Sequence, residues 1–339
     1  MLRGVVISRT VMYNNAIITK TEEIFMKYGF GIDLGGTTVK LAYFAEDGKM
    51  IEKWEIPTDK SNDGSNILPD IAASIKQYIA EKGIDTADLL GVGIGVPGAV
   101  NSRGFVNKCI NLGWGIVDVQ GDLEKLTGLT VRADNDANVA ALGELWMGGG
   151  AGCDNMIFAT LGTGVGGGII VDGKTVCGVH GAGGEIGHVT LNKFETEQCG
   201  CGKRGCAEQY CSATGIVRIA SRVMALSCRE SILRGKENLT CKDIFDAGKA
   251  GDALALEVLD HYFDYLGQFI AGICCVTDPE VVVLGGGVSK AGQMLLDGVR
   301  PYFDKYIFHA SNEIRFALAT LGNDAGAYGA FKLVLDAQG

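Results

Sequence analysis

Basic residues are in deficit: 30 Lys and Arg stand against 40 Asp and Glu, a formal net charge of −10. Phosphate backbones are bound by basic stripes and none is visible, which argues against a nucleic-acid face. No apolar run approaches the roughly 20 residues needed to span a bilayer. Ahead of Tyr28 the apolar runs are short, such as Val5 to Ile7, and too weak for the core of a secretory signal. Low-complexity segments and long linkers are missing as well. Proline is scarce, at 5 residues, whereas glycine occupies 51 positions and apolar residues make up 47%. That balance reads as a globular α/β protein with many tight turns, because glycine supplies the φ > 0 positions such turns require. The cysteine count is odd, at 11, in a chain of 339 residues that has core enough without disulfide staples. Reduced thiols in a cytoplasm are expected, a few of them bound to metal. The length suffices for two packed domains.

Residues 1–26 carry scattered charges and no period, and are expected to be a disordered extension. From Tyr28 the pattern is regular. Phe30, Ile32 and Leu34 alternate toward a Gly-Gly turn, and Val39, Leu41 and Tyr43 resume the period of two, which predicts a hairpin with a glycine-rich tip. Ile67, Ile71, Ile75 and Ile79 recur as on an amphipathic helix, stopped at Gly83. Leu90 to Val96 reads as a buried strand closed by Pro97-Gly98. A short strand over Leu129 to Ala133 leads into Asp134-Asn135-Asp136 and a helix from Ala137 to Met147. Then the layout restarts: a strand over Met156 to Leu161, a glycine-rich turn over Gly162 to Gly168, and a strand over Ile169 to Val171. The strand–glycine turn–strand unit at Ile32 to Leu41 thus recurs about 130 residues later. An internal duplication of this sort builds two similar lobes around a cleft. A long helix over Leu254 to Val276 ends at Asp278-Pro279, and Val281 to Leu284 reads as a strand covered on both faces. The expected organisation is a small lobe over 27–140, with 320–339 packing back on it, and a large lobe over 141–319.

Three glycine-rich turns follow apolar strands: Gly35-Gly36-Thr37-Thr38, Gly162 to Gly168, and Gly285-Gly286-Gly287. Missing side chains let backbone N–H groups cradle phosphate oxygens, although any one such turn can equally be a plain hairpin. Asp33 at a strand end can hold magnesium, directly or through water, or can serve as a cap. Lys40 is either a phosphate contact or a solvated lysine. His188, Cys199, Cys201 and Cys206 lie in GGEIGH and CGCGKRGC. Three sulfurs and one imidazole make a closed tetrahedral zinc site of the structural kind, where the alternative is buried cysteines beside a satisfied histidine. Asp134, Asn135, Asp136 and Asn138 cluster between a strand and a helix, and an N-cap explains one of them but not all. A carboxylate at a strand's end beside a phosphate cradle is what a hydroxyl-phosphorylating enzyme needs as base, and Asp136 is the candidate. Glu185 and Glu208 flank the metal-like residues, where a metal-fixed loop would hold carboxylates that accept sugar hydroxyls.

On DLGGTTVK, LGTGVGGG, VVVLGGGVS, GGEIGH and CGCGKRGCAE, the sequence resembles the ROK family (repressors, uncharacterised frames and sugar kinases) from about Tyr28 to the C-terminus. The resemblance implies an α/β fold of the actin-like ATPase kind, a duplicated ribonuclease H-like unit with two lobes around a central cleft. It implies an ATP-dependent hexose kinase with Asp136 as general base. Asn111, Asn135, Glu185, His188 and Glu208 would bind the sugar, with His188 using its second ring nitrogen for zinc. Asp33, Gly35, Gly36, Thr37, Thr38, Lys40, Thr163 and Gly164 would lie around the phosphates, and Gly286 and Gly287 nearer the adenosine. ATP, magnesium and structural zinc are the implied cofactors, hexose and ATP the implied partners, and a homodimer or homotetramer the implied assembly. The segment Asn111-Leu112-Gly113-Trp114 is most similar to bacterial glucokinase members. Kinases of fructose, mannose, allose or N-acetylhexosamines share the same hydroxyl-reading carboxylates. A sugar-responsive regulator or a non-catalytic sugar-binding protein is the alternative of another class. The segment ahead of Tyr28 is expected to be too short for the winged helix-turn-helix of the regulators.

Overall fold

A computed structural model describes residues 5–13, 16–24 and 26–338, with side chains from Met26 onward. Strands β1 (Val5–Tyr13) and β2 (Ala16–Ile24) pair antiparallel in a sheet of their own, from Val5 opposite Ile24 to Tyr13 opposite Ala16. Here the structure departs from the disorder expected over 1–26. Both segments are dense in Val, Ile and Thr, which favour extended backbone even without an alternating pattern. Residues 1–4, 14–15 and 25 lie outside the described residues.

The body of the protein is two five-stranded sheets of one topology. In the first, β3 (Tyr28–Leu34), β4 (Thr38–Ala45) and β5 (Met50–Pro57) form an antiparallel meander. Strand β6 (Leu89–Val96) then pairs parallel to β3, and β7 (Val131–Asn135) parallel to β6. In the second, β8 (Met156–Leu161), β9 (Val165–Val171) and β10 (Lys174–Thr175) repeat the meander. Strand β11 (Val281–Gly285) pairs parallel to β8, and β12 (Arg315–Leu318) parallel to β11. The repeat read from two glycine turns is therefore a repeat of whole sheets.

Alternation along β3 assigns its two faces. Tyr28, Phe30 and Ile32 pack under helices α1 (Ile67–Lys82) and α2 (Val119–Thr127). Helix α1 is closed by Gly83 at φ +61°. The other face carries glycines because a helix backbone lies directly on it. A β-carbon at Gly31 would sit 2.0 Å from the carbonyl oxygen of Ala327, and one at Gly93 1.6 Å from that of Ala330. Both carbonyls belong to the last helix of the chain, Ala325–Asp336, so the C-terminal end of the chain packs on the first sheet.

The second sheet is layered likewise. Helix α3 (Asp136–Met147) covers one face through Ala141, Leu142 and Leu145 against Met156, Phe158 and Ile170. Helices α4 (Ala213–Leu226), α5 (Cys241–Lys249), α6 (Ala253–Thr277) and α7 (Gln293–Tyr306) build the larger core on the other. Helix α8 (Ala325–Asp336) ends the fold. The helix that follows the first sheet thus packs on the second, and the helix that follows the second packs on the first. A glycine-rich turn was expected over Gly162 to Gly168, but only Gly162 to Gly164 turns, and Gly166 to Gly168 lie inside β9. Packing is the reason: a β-carbon at Gly167 would meet the Ile186 side chain at 2.3 Å, and one at Gly168 the Ala141 methyl at 2.4 Å. Among the described residues no helix is long and apolar enough to cross a membrane.

Candidate active site and metal centre

Strand β7 ends where α3 begins, and Asn135 makes the junction. Its side-chain oxygen accepts the N–H groups of Ala137 at 2.9 Å and Asn138 at 3.3 Å, while its Nδ2 donates to the Gly98 carbonyl at 2.9 Å. The next residue, Asp136, opens into a cavity of about 620 Å³ between the two sheets. Thr160, Gly286, Gly287, Lys290 and Asn323 line the same cavity. Solvent reaches Asp136 through this opening, yet dense protein surrounds the carboxylate. Desolvation raises its pKa above the ordinary value; the Ala137 N–H opposes this, and the charges of Asp33 and Glu185 add to the rise.

Asp33 lies against Gly326, a residue of the cavity wall. It pairs with Lys40 at 3.2 Å, and Lys40 also donates to the Asn323 carbonyl at 3.4 Å. Helix α8 begins against Asp33: a β-carbon at Gly326 would sit 2.9 Å from its carboxyl carbon. In the first glycine turn the Gly35 N–H donates to the Thr38 carbonyl at 3.0 Å, and the Thr58 hydroxyl to the Gly35 carbonyl at 2.7 Å. A β-carbon at Gly36 or Gly287 would meet nothing within 4 Å, so both positions face open space. Gly286 turns at φ +80°, tight against the Leu161 backbone.

In the second turn the Gly162 N–H donates to the Gly164 carbonyl at 2.9 Å, and the Thr163 carbonyl accepts the Thr214 hydroxyl at 2.8 Å. Gly164 leaves room for Glu208, whose carboxylate accepts the Val165 N–H at 3.0 Å. The other Glu208 oxygen lies 3.6 Å from the Cys199 sulfur. Glu208 therefore joins the second turn to the cysteine loop. Gly35 to Thr38 and Thr163 to Gly164 do not line the cavity that holds Asp136. Asn111 is exposed in a short 3₁₀ turn over Ile110–Leu112, with Trp114 behind it donating to the Gly64 carbonyl at 3.1 Å.

Donor atoms of His188, Cys199, Cys201 and Cys206 all lie within 4.8 Å of one another. Cys201 and Cys206 sulfurs are 3.6 Å apart, and the Cys199 sulfur is 3.9 Å from Nδ1 of His188. Zinc–sulfur bonds of about 2.3 Å in a tetrahedron place sulfurs about 3.8 Å apart, so the donor set fits a metal of that kind. Nε2 of His188 faces the other way, 3.9 Å from Glu185. The loop is held from outside as well. Buried Glu195 binds Arg218 at 3.2 Å, Arg222 at 3.0 Å and the Tyr210 hydroxyl, and Gln209 accepts the N–H groups of Gly205 and Cys206.

The chain whose two sheets share one topology, with a carboxylate lining the cavity and a His-Cys₃ cluster in a separate loop, also matches a family in sequence. A model described as the ROK family covers residues 29–337. The chain belongs to the ROK family. This ROK chain is 43% identical over 309 residues to a glucokinase of Halalkalibacterium halodurans, covering 90% of this chain and 94% of that protein. It is 35% identical to a glucokinase of Thermotoga maritima, covering 91% and 98%. A ROK family glucokinase from Streptomyces griseus, solved in complex with glucose and AMPPNP, superposes with a TM-score of 0.70 at 31% identity, covering 93% of this chain and 100% of that one.

Several residues of this ROK site had no signal in the sequence. Lys290 and Asn323 reach the cavity only because the 3₁₀ turn Val288–Ala291 and the start of α8 converge there. Glu144 reads as an ordinary helix residue, yet it is fully buried and accepts N–H groups of Gly149, Thr320 and Leu321 at 2.9 to 3.0 Å. It thereby fixes the segment that leads from β12 to the cavity.

Proposed function

We propose that the chain is an ATP-dependent glucokinase that transfers the γ-phosphoryl group of ATP to the 6-hydroxyl of glucose, with Asp136 as general base. The observation that carries this reading is the position of Asp136. It lines the inter-lobe cavity and is close enough to Glu185 and Asp33 to feel both charges. The base thus lines the space assigned to the nucleotide and lies within electrostatic reach of Glu185 on the loop that carries the candidate sugar ligands.

Asp136 takes the proton of the hydroxyl as its oxygen bonds to the γ-phosphorus, and the bond from phosphorus to the bridging oxygen breaks to release ADP. The raised pKa makes this carboxylate a better proton acceptor than an ordinary aspartate. Glu185, Nε2 of His188, Glu208, Asn111 and Asn135 orient the sugar through its remaining hydroxyls. Backbone N–H groups around Gly35 to Thr38 and Thr163 to Gly164 receive phosphate oxygens, with Gly286 and Gly287 beside the adenosine. Asp33 would hold magnesium, which offsets charge on the phosphates. His188, Cys199, Cys201 and Cys206 would hold zinc, whose part is to order the loop that presents Glu185 and Glu208. Residues 27–140 and 141–319 serve as the two lobes, with the C-terminal helix closing the first. A cytoplasmic homodimer or homotetramer without nucleic-acid or membrane partners completes the reading.

A coupled ADP-release assay with ATP and magnesium across a panel of hexoses, with the product mapped by NMR, tests it. Turnover on glucose giving the 6-phosphate is expected. Preference for another hexose overturns the substrate, and no turnover on any sugar overturns the kinase.

A further inference from the structure

Asp134 precedes the proposed base by two residues and has no role in the chemistry above, yet it is nearly fully buried, at 4% exposure. Its carboxylate is shared among four partners from both halves of the molecule. On its own side, Oδ1 accepts the Asn135 N–H at 2.7 Å and Nδ2 of Asn138 at 3.0 Å. From the second sheet, Oδ2 accepts the Thr175 hydroxyl at 2.9 Å and the Cys177 thiol at 3.3 Å. Thr175 ends β10, and Cys177 opens the segment that runs on to Glu185 and His188.

We infer that Asp134 is a positioning residue that sets the distance between the base-bearing end of β7 and the sugar-reading segment 178–188, with Thr175 and Cys177 as its anchors. The inference rests on the glucokinase reading and deepens it.

The chemistry of the partners selects a carboxylate. All four are neutral donors, and an ionised Asp is acceptor-only with room for about four hydrogen bonds. An asparagine in its place would turn N–H groups toward two of those donors. The thiol stays a donor because burial and Asp134 push its pKa up to about 11. The same network orients the wall beneath the sugar segment. Asp134 fixes Nδ2 of Asn138, so the Asn138 oxygen points the other way, toward Gly184. A β-carbon at Gly184 would lie 3.2 Å from that oxygen, and Glu185 is the next residue. A change at Asp134 therefore propagates to Asn135 and Asp136 along its own strand end, and toward Glu185 and His188 through Thr175 and Cys177.

Kinetics with glucose and ATP, together with calorimetric titration of glucose, test the inference on Asp134→Asn, Thr175→Val, Thr175→Ser and the pair Thr175→Val with Cys177→Ala. Losing hydrogen bonds to a buried charge is expected to raise the glucose KM and Kd about tenfold or more in Asp134→Asn and in the paired variant. The ATP KM should stay within about twofold, and Thr175→Ser, which keeps its hydroxyl, should match the wild type, on the same hydrogen-bond argument. Should Asp134→Asn fail to fold, the Thr175 and Cys177 variants decide. Unchanged glucose constants in the paired variant overturn the inference, as does a parallel rise in the ATP KM or a Thr175→Ser as impaired as Thr175→Val. A wild-type protein that neither binds nor phosphorylates glucose refutes the glucokinase reading instead, and this inference falls with it.

Discussion

Gly329 lies against Val139 so closely that a β-carbon at 329 would sit 1.6 Å from the Val139 carbonyl oxygen. Gly143 approaches Ala325 in the same way, at 2.2 Å. Helices α3 and α8 therefore cross backbone to backbone. Since each packs on the sheet that precedes the other, this crossing joins the two halves, and the first turns of both helices border the cavity. Gly329→Ala is expected to force the helices apart and destabilise the fold by about 2 kcal/mol or more. Urea denaturation measures it, and an unchanged midpoint would contradict the tight crossing.

Asp136→Asn removes the proton acceptor and keeps the side-chain shape. Glucose affinity by calorimetry should stay within a few-fold, while kcat falls by about 10² to 10⁴. A variant that retains more than about a tenth of the wild-type rate would exclude the base role, on the same scale.

The raised pKa of Asp136 has a pH signature. The carboxylate must be ionised to accept a proton, so kcat/KM for glucose is complete above the raised pKa and falls as pH drops through it. Desolvation first, then Asp33 and Glu185, place that acid limb above the ordinary Asp value of 3.8. A pH–rate profile at saturating ATP, with a limb at or below the ordinary value, would refute the assignment.

Cys201→Ser is expected to lose the bound metal and weaken glucose binding together, because the same loop carries His188 and leads into Glu208. Metal analysis of the purified protein and glucose titration test the two effects in one preparation. Metal retained at the wild-type level, with unchanged affinity, would show that the cluster is not the site.

Glu195 braces that loop from behind. Burial pushes its pKa up, but Arg222, Tyr210 and the Glu197 N–H outweigh it and hold the carboxyl well below the usual range. Its contribution to stability is therefore complete above the ordinary value of 4.5 and is lost as pH falls below it. Glu195→Gln should cost about 2 kcal/mol at neutral pH, less than a fully buried pair because Arg222 is half exposed. Thermal melts of both proteins from neutral to acid pH should show the gap closing. A gap independent of pH would mean that packing, not charge, holds the loop.

Much of this site is legible in the sequence because its signals are local. The hairpin of β3 and β4, the stop of α1 at Gly83 and the spacing of Cys199, Cys201 and Cys206 each depend on residues a few positions apart. A repeat of strand and glycine turn was enough to foresee the duplicated sheets. Segments that meet only after folding leave no such pattern. The glycines of β3, β6 and β9 look like turn residues until the neighbouring segments are laid on them, when they prove to leave room for a helix backbone, as Gly31 and Gly93 do, or for a side chain, as Gly95 and Gly167 do. Glu208 bridging to Val165, and Asp134 holding Thr175 and Cys177, join positions about 40 apart along the chain. By itself the sequence determined the central strands of both sheets, the Gly35–Gly36 turn, the metal-ligand spacing and the family. Only the tertiary structure decided which helix covers which sheet and which carboxylates brace the site, because close packing and buried hydrogen bonds are properties of pairs of distant segments, and periodicity records only neighbours.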